Sequence, residues 1–262
     1  MAPQLPPVAL VTGASRGIGR AIAAHLARRG VRVAVHYHRS ESAAEAARAA
    51  LPGPGHTLHQ ADVSRGDDCG RLVREVIAQH GRLDLLVNNA GIAEDHAISD
   101  GDLNFATWEV IWERTLQANL LGPAHLTFHA VRHMQSRGPA DSAFGKGRIV
   151  NLSSRGAFRG EPRAPAYGAS KAGLNAFGQS LARALAPEGI YIYTIAPGWV
   201  DTDMAAGALK GPGANEVMAQ HPLGRVATAD EIAATTAWLG LDAPAVLTGC
   251  IVDANGASYL RT

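Results

Sequence analysis

Residues 8–19 read Val-Ala-Leu-Val-Thr-Gly-Ala-Ser-Arg-Gly-Ile-Gly, a short apolar run that passes directly into a glycine-rich turn. The apolar run predicts a buried strand, and an alanine-rich helical pattern begins at Gly19. Glycines in the turn permit a tight bend, and the start of the helix offers unpaired N–H donors and a positive dipole end. The turn is therefore a candidate pyrophosphate site, although any strand-to-helix turn can use glycine.

Short β-branched runs alternate with alanine-rich helical patterns along the whole chain. The predicted strands are residues 8–12, 31–37, 56–61, 83–87, 148–152, 190–196 and 250–253. The predicted helices are residues 19–29, 42–51, 67–80, 108–135, 166–186 and 229–239. Apolar strands separated by helices are typical of a parallel sheet buried on both faces. We therefore predict an α/β fold, a single doubly wound Rossmann-type domain over residues 1–262 with a seven-stranded parallel sheet.

Three segments interrupt this alternation. Residues 94–106 and 138–147 are polar, contain glycine and are long for connections of this kind, which predicts surface insertions. Residues 203–222 combine several glycines with Leu209 and Met218. This mixture predicts a mobile cover over a site with these two side chains facing inward, or an ordinary surface loop.

Composition excludes several classes of protein. The 24 basic and 23 acidic residues give a net charge of +1, which disfavours binding to nucleic acid or to an anionic membrane surface. No apolar stretch approaches the roughly 18 residues of a membrane span, and residues 1–7 carry no basic residue of a signal peptide. The two cysteines, Cys69 and Cys250, form no CxxC pair, so we expect a soluble protein of the reducing cytoplasm.

Three histidines raise the question of a metal. His125, His129 and His133 are four residues apart on one predicted helix. No acidic or cysteine ligand recurs on that face and the sequence contains no HExxH, so we predict no metal site. A stripe that faces solvent or another subunit would account for the three side chains.

Further motifs follow the glycine turn in a fixed order. They are Asp62-Val63, Asn88-Asn89-Ala90-Gly91, Asn119 within a helix, Ser154, Tyr167-Gly168-Ala169-Ser170-Lys171, and Pro197-Gly198 with Val200 and Thr202. Together with the turn, this series resembles the short-chain dehydrogenase/reductase family over nearly the whole chain. The resemblance implies a nicotinamide cofactor bound by Gly13, Ser15, Arg16, Gly17, Ile18, Gly19, Asp62, Val63, Asn89, Ala90, Gly91, Tyr167, Lys171, Pro197, Gly198, Val200 and Thr202.

Tyr167 and Lys171 are four residues apart, so their side chains share a helix face. A free tyrosine has a pKa of about 10, and a neighbouring ammonium would lower it. Tyr167 would then give a proton to a carbonyl oxygen while hydride arrives, or remove one from an alcohol. The resemblance implies that Ser154 holds the substrate oxygen, that Lys171 binds the nicotinamide ribose, and that Asn119 holds a proton-relaying water. The alternatives are a surface Tyr–Lys pair and an asparagine that kinks its helix or bonds backbone.

The sequence after the second predicted strand indicates which cofactor is used. An NAD site needs a carboxylate there for the ribose 2′-OH, but the segment reads His36-Tyr37-His38-Arg39-Ser40. Arg39, with Arg16 from the glycine turn, suits a 2′-phosphate and predicts NADP(H) rather than NAD(H). The alternative is that Arg39 is solvated and Glu41 binds the ribose.

Within the family, the nearest resemblance is to 3-oxoacyl-acyl-carrier-protein reductases. It rests on residues 12–23, on His221-Pro222-Leu223-Gly224-Arg225, and on Thr248-Gly249 with Asp253 and Gly256. It implies NADP-dependent reduction of a small-molecule carbonyl, a 3-oxoacyl group or another ketone, to a secondary alcohol. The alternatives are a sugar or polyol dehydrogenase and a cofactor-binding regulator without turnover.

Two features bear on the substrate. Carrier-protein reductases generally have a basic residue just before the glycine that opens the sixth strand, whereas Glu188 precedes Gly189 here. Arg155, Arg159 and Arg163 follow Ser154 and could meet an anionic substrate or be solvated.

An oligomer is also predicted. Residues 166–186 carry Leu174, Phe177, Leu181 and Leu185 at three-to-four spacing, more apolar faces than one sheet contact requires. Family members commonly pair through this helix and the long helix before it, so we expect a homotetramer. The alternative is that these residues only pack on the sheet.

Overall fold

A seven-stranded parallel sheet forms the centre of the chain, whose computed structural model describes residues 6–138 and 144–261. Its strands are β1 (Val8–Val11), β2 (Arg32–Tyr37), β3 (Thr57–Gln60), β4 (Leu85–Asn88), β5 (Gly147–Leu152), β6 (Ile190–Pro197) and β9 (Ile251–Ala254). The strand order is β3-β2-β1-β4-β5-β6-β9, with every neighbouring pair parallel. The predicted α/β fold and seven-stranded sheet are confirmed. Strand order reverses between β1 and β4, where folds of this kind open a cleft.

Helices cover both faces of this sheet. They are α1 (Gly17–Arg28), α2 (Glu41–Ala49), α3 (Gly66–His80), α4 (Phe105–Leu116), α5 (Gly122–Ser136), α6 (Gly156–Arg159), α7 (Pro165–Leu185), α8 (Ala206–Lys210), α9 (Ala214–Ala219) and α10 (Ala229–Leu241). Alternate β1 residues enter different cores: Ala9 and Val11 pack with α1 and α10, while Val8 and Leu10 pack with α3 and α5. Burial on both faces explains the uninterrupted apolar run of β1.

A second, two-stranded sheet was not predicted. It pairs β7 (Val200–Asp201) with β8 (Ala227–Thr228) in parallel. Both strands have only two residues, too few to produce an alternating pattern in the sequence. The predicted cover, residues 203–222, lies between these two strands in the sequence. Their pairing therefore holds the two ends of the covering segment together.

The helix predicted over residues 108–135 is interrupted. It begins earlier, at Phe105, because the Asn104 side chain accepts a hydrogen bond from the Thr107 N–H at 2.9 Å. A π-helical turn, Gln117–Leu121, separates α4 from α5. Pro123 has no N–H to donate to the Asn119 carbonyl four residues earlier, so a regular α-helix cannot continue through this point.

The histidine stripe on α5 faces α3, so the prediction of a solvent-facing or subunit-facing stripe was wrong. The rings of His125 and His129 lie over Gly66 and Gly70, where a Cβ would come within 3.3 and 2.9 Å of them. The Nε2 atom of His133 accepts the Leu83 N–H at 3.2 Å. Two glycines four residues apart on α3 leave room for two histidine rings with the same spacing on α5. Neither the glycine spacing nor the histidine spacing predicts this packing by itself.

The apolar residues of α7 are largely used within the chain. Leu174 and Leu185 are buried, and Leu181 packs on the core beside α3 and α5, while Phe177 is half-buried. Apolar exposure lies instead on α4 and α5, where Phe105 is 70% and Phe128 63% exposed. The apolar residues of α7 therefore give little support for an oligomer. The helices α4 and α5 do present an apolar surface that another subunit could cover.

Residues 1–5, 139–143 and 262 lie outside the described residues, and with them the centre of the predicted insertion 138–147. In the part of the chain that the structure describes, no helix is long and apolar enough to cross a bilayer. Nor do three His, Cys, Asp or Glu side chains come together there as metal ligands would.

Candidate active site

The glycine turn after β1 forms one end of a cleft of about 2300 Å³. Gly13 and Gly17 have φ angles of 64° and 54°, which favour glycine. A Cβ on Gly19 would lie 2.3 Å from the Gly13 carbonyl oxygen, so no side chain fits there. Among the described residues, no side chain caps the N-terminus of α1. Its free N–H groups and the close-packed turn fit the pyrophosphate of a dinucleotide.

His36 holds this turn and was missed by the sequence analysis. Its Nδ1 accepts the Gly13 N–H at 3.0 Å, so Nε2 carries the proton and donates to the Ala61 carbonyl at 3.1 Å. The side chain is 1% exposed, and burial lowers its pKa to about 4, so the ring is neutral at pH 7. In the sequence, His36 is one residue of a strand, and nothing there indicates a partner 23 positions away.

Most predicted site residues line this one cleft. They are Gly13, Ser15, Arg16, Gly17, Ile18, Gly19, Arg39, Asp62, Val63, Asn89, Ala90, Gly91, Ser154, Tyr167, Lys171, Pro197, Gly198, Val200 and Thr202. Arg16 and Arg39 have no carboxylate within ion-pair distance among residues 6–138 and 144–261. Glu41, the alternative ribose ligand, is not in the cleft lining and lies near Tyr37, whose pKa it helps to raise.

Ser154, Tyr167 and Lys171 meet where β5 ends beside α7. The Ser154 hydroxyl accepts the Gly156 N–H at 3.0 Å and is near enough to the Tyr167 hydroxyl to lower its pKa. The Lys171 ammonium donates to the Leu152 carbonyl at 2.8 Å and lies 5.6 Å from the centre of the Tyr167 ring. Burial lowers the Lys171 pKa to about 8. Two hydroxyls at one point of the wall can together bind one substrate oxygen.

The pKa of Tyr167 differs from the expectation that Lys171 lowers it. Burial raises this pKa to about 12, and the nearby Ser154 hydroxyl only partly offsets the rise. The physical reason is that the buried phenolate loses hydration while the ammonium is directed at a backbone carbonyl. Tyr167 is therefore protonated at neutral pH, the state required of a proton donor.

Asn119 lies behind the cleft and not in its lining. Its amide is buried and bonds the Ile92 backbone twice, accepting from N and donating to O at 2.8 Å each. It also donates to the Ser170 hydroxyl, which in turn donates to the Tyr167 carbonyl. These bonds agree with the alternative that Asn119 bonds backbone, and they make its side chain a tie between the chain after β4 and α7.

His96 was also missed, and it completes the start of α7. Ala164, at the N-cap position, makes no side-chain cap, and Pro165 has no N–H. The Nε2 of His96 accepts the Ala166 N–H at 3.1 Å, while Nδ1 donates to the Glu94 carbonyl at 2.8 Å. His96 is 1% exposed. It supplies from 70 residues away the cap that the helix lacks, next to Tyr167.

Residues 203–222 lie over the cleft, as predicted, but their inward faces were predicted wrongly. Met204, Ala205, Ala208, Val217 and Gln220 line the cleft, whereas Leu209 and Met218 do not. In α9, Val217 is 9% exposed and Met218 37%, so the helix turns Met218 outward. The segment consists of a 3-10 turn followed by two short helices. An interpretation as a loop does not predict which side chains of such helices face the cleft.

The three arginines after Ser154 have different environments. Arg163 is paired with Asp95 at 2.9 Å, and both side chains are exposed. Arg159 is 3.5 Å from Glu161. Arg155 is 2% exposed, which excludes the prediction that it could be solvated.

The sheet, the glycine turn and the Ser–Tyr–Lys cluster define an oxidoreductase of the nucleotide-dependent class, and comparison with known proteins agrees. A family model described as Enoyl-(Acyl carrier protein) reductase matches residues 13–256. The chain belongs to the short-chain dehydrogenase/reductase family.

Curated relatives extend over nearly the whole chain. The 3-oxoacyl-[acyl-carrier-protein] reductase of Staphylococcus epidermidis is 36% identical over 254 residues, covering 96% of this chain and 98% of the relative. The acetoacetyl-CoA reductase of Allochromatium vinosum is 36% identical over 258 residues, covering 97% and 99%. A crystal structure of a short chain dehydrogenase from Burkholderia cenocepacia J2315 in complex with NADP is similar with a TM-score of 0.84 and 33% identity, covering 97% of this chain and 98% of that one.

Proposed function

We propose that this protein reduces a carbonyl, in a 3-oxoacyl group or another ketone, to a secondary alcohol with NADPH. The observation that carries the proposal is that the Ser154 and Tyr167 hydroxyls lie near each other in the wall of the same cleft as the glycine turn. The names of the relatives, a 3-oxoacyl reductase and an acetoacetyl-CoA reductase, support the same chemistry.

The roles of the residues follow from their positions. Bound NADPH would supply hydride to the carbonyl carbon. Ser154 donates a hydrogen bond to the carbonyl oxygen, and Tyr167, protonated because burial raises its pKa, gives the oxygen a proton as negative charge develops. Lys171, whose ammonium is anchored at the Leu152 carbonyl, would bind the nicotinamide ribose.

The family model's description refers to enoyl reduction, in which the proton goes to carbon. An enoyl thioester also carries a carbonyl oxygen that can accept from both hydroxyls, so the hydroxyl pair suits either substrate. The preference for a ketone rests on the curated relatives, which are named as a 3-oxoacyl reductase and an acetoacetyl-CoA reductase.

NADP(H) rather than NAD(H) is the proposed cofactor. Arg16 and Arg39 line the cleft, and the described part of the chain offers neither of them a carboxylate partner. A 2′-phosphate would supply that negative charge through charge-assisted hydrogen bonds. The NADP complex of the similar Burkholderia structure supports this choice.

A spectrophotometric assay of NADPH oxidation tests the proposal. The panel contains acetoacetyl thioesters, simple ketones, ketoses and an enoyl thioester, and polyols are assayed in reverse with NADP⁺. We expect reduction of ketones and thioesters. Activity confined to sugars or polyols would support the alternative dehydrogenase, and NADPH binding without turnover of any compound would support a regulator.

The assembly and its location complete the proposal. We expect a homotetramer that buries the apolar surface of α4 and α5, including Phe105 and Phe128. A monomeric mass by light scattering at micromolar concentration would contradict this assembly. The free thiols of Cys69 and Cys250 suit a reducing cytoplasm.

A further inference from the structure

Arg155 follows Ser154 directly and is a buried cation in the wall of the cleft. Only 2% of the residue is exposed. Its Nη2 donates to the Gln220 amide oxygen at 2.9 Å and its Nη1 to the Ser258 carbonyl at 3.4 Å. Both acceptors are neutral. A buried charge is costly unless it is paired, so this guanidinium needs a negative partner.

We define the substrate half of the cleft by its arginines 114, 155, 159 and 163. Arg155 differs from the other three in its lack of a carboxylate partner among the described residues. Arg114 pairs with Glu94, Arg163 with Asp95, and Arg159 with Glu161. In the described ranges, Arg155 alone of these four has no carboxylate within 4 Å. Burial and the neighbouring Arg159 lower the pKa of Arg155 to about 10, against a partial compensation from Glu161.

A second guanidinium converges on the same acceptor. Nη1 of Arg159 lies 3.3 Å from the Gln220 oxygen that Arg155 also contacts. Gln220 follows α9 in the covering segment and is exposed, so it can move aside. A carboxylate placed there would accept from both guanidinia with a full charge, where the amide has none.

We propose that Arg155 and Arg159 form an anion subsite beside Ser154, so that the enzyme prefers ketones that carry a carboxylate, namely oxo acids. The inference rests on the proposed reduction of a carbonyl and names its substrate class. Gln220 occupies the subsite when no substrate anion does. If Arg155 instead only fastens the cover to the chain near Ser258, the charge of the substrate should not matter.

Matched substrates test the proposal. We would measure kcat/KM for acetoacetate against methyl acetoacetate, and for 4-oxopentanoate against its methyl ester, two spacings between carbonyl and carboxylate. Wild type should prefer the acid at least about 10-fold at one spacing. The ratio of two substrates on one protein is independent of how much of that protein is folded.

Gln220→Glu is the sharpest variant, because it places a carboxylate of the same shape between the two guanidinia. It should abolish the preference for the acid and raise Tm by about 2–4 °C. Asn215→Asp is the matched control, since it adds the same charge to an exposed position of α9 outside the cleft lining and should keep the preference.

Several outcomes would overturn the subsite: equal use of acid and ester by wild type, a preference that survives Gln220→Glu, or the same loss in Asn215→Asp. An unchanged Tm of Gln220→Glu would also count against it. If wild type binds NADPH but reduces none of the four compounds, the proposed reaction fails for them and calorimetry decides the subsite. Glutarate should then bind wild type with NADPH and not bind Gln220→Glu; absence of binding to wild type would reject the subsite.

Discussion

The two halves of the cleft are built in different ways. At the cofactor half, backbone hydrogen bonds from Ala14 N to His36 O and from Thr12 N to Val87 O fix the glycine turn to the sheet, together with the side chain of the strand residue His36. At the substrate half, surface segments are fixed by side chains, such as His96 to Ala166 and Arg155 to Gln220, 70 and 65 residues apart. Positive φ angles and close packing restrict the residue types of the glycine turn to a recognisable motif, whereas the substrate half depends on single side chains from distant segments. The sequence therefore predicts the cofactor half of the cleft, whereas it does not predict how the substrate half selects its substrate.

The largest expected effect comes from the hydroxyl where the two halves meet. Tyr167→Phe should reduce kcat by about 10³-fold, since it removes the proton donor. NADPH affinity should stay within about 2-fold, because the substitution removes only the hydroxyl and keeps the ring that lines the cleft. Rates come from the NADPH assay and affinity from fluorescence titration. Lys171→Ala should lower both kcat and the affinity for NADPH. Carbonyl reduction by Tyr167→Phe at the wild-type rate would refute the mechanism.

Protonation of His36 should loosen the cofactor half. Its folded pKa, about 4, lies below the ordinary value of 6.5, so between these pH values the unfolded chain binds more protons. The stability that neutral His36 contributes is complete above pH 6.5 and is lost as pH falls toward 4, up to about 3 kcal/mol. Urea unfolding from pH 7 to 4 measures the slope.

The control for this pH effect is His36→Asn, whose amide can still accept the Gly13 N–H but does not titrate. The variant should have a shallower dependence of unfolding free energy on pH than wild type. His80, whose pKa burial also lowers to about 4, contributes in the same direction and remains in both proteins. Parallel slopes for the two proteins would show that His36 does not couple the glycine turn to pH.

Arg39→Asp tests the charge of the cofactor half. A charge-assisted hydrogen bond is worth about 1.5–3 kcal/mol, so the wild-type preference for NADPH over NADH should be about 10- to 100-fold. The variant should narrow or reverse that ratio, because it removes an attraction and adds repulsion to the 2′-phosphate. Arg28→Asp, outside the cleft lining, makes the same change of charge and should leave the ratio as it was. Equal use of both cofactors by wild type would contradict the proposal.

His96 provides a test of the side-chain-built half. His96→Phe leaves the Ala166 N–H without its acceptor at the start of α7, so kcat should fall about 10-fold through misplacement of Tyr167. NADPH affinity should change little. His96→Gln, whose amide can accept and donate like the imidazole, should restore most of kcat.

The matched control is His133→Phe. His133 also accepts a backbone N–H, from Leu83 at 3.2 Å, but it lies on α5 against the segment that follows α3 and not in the cleft lining. It should lower Tm as His96→Phe does while kcat is retained. If both phenylalanine variants lost kcat in proportion to Tm, His96 would have no positioning role.

Some features of the cleft can be predicted from the sequence, and others depend on contacts between distant residues. The apolar strands and the glycine turn were predicted because burial on both faces and positive φ angles restrict the residue types allowed. The π-helical turn had a signal in Pro123 that the helical pattern concealed. His96, His36 and the α3–α5 packing gave no signal, since each depends on partners far along the chain. The cover was located correctly, but the phase of α9 within it depends on packing and not on composition.

The smallest expected effect concerns an acyl carrier as partner of the substrate half. Glu188 stands where carrier-protein reductases generally have a basic residue, and its carboxylate accepts from the Gln135 amide at 2.9 Å, which keeps the negative charge at this surface. Steering of an acidic carrier should therefore be weak, and we expect small free ketones and thioesters to be reduced without one. The kcat/KM for acetoacetyl-carrier protein should stay within about 3-fold of that for a short acetoacetyl thioester, at low and at high salt, because screening has little attraction to remove. A large preference for the carrier form that disappears with salt would show that a basic docking patch exists despite Glu188, with the exposed Arg163 as the first residue to substitute.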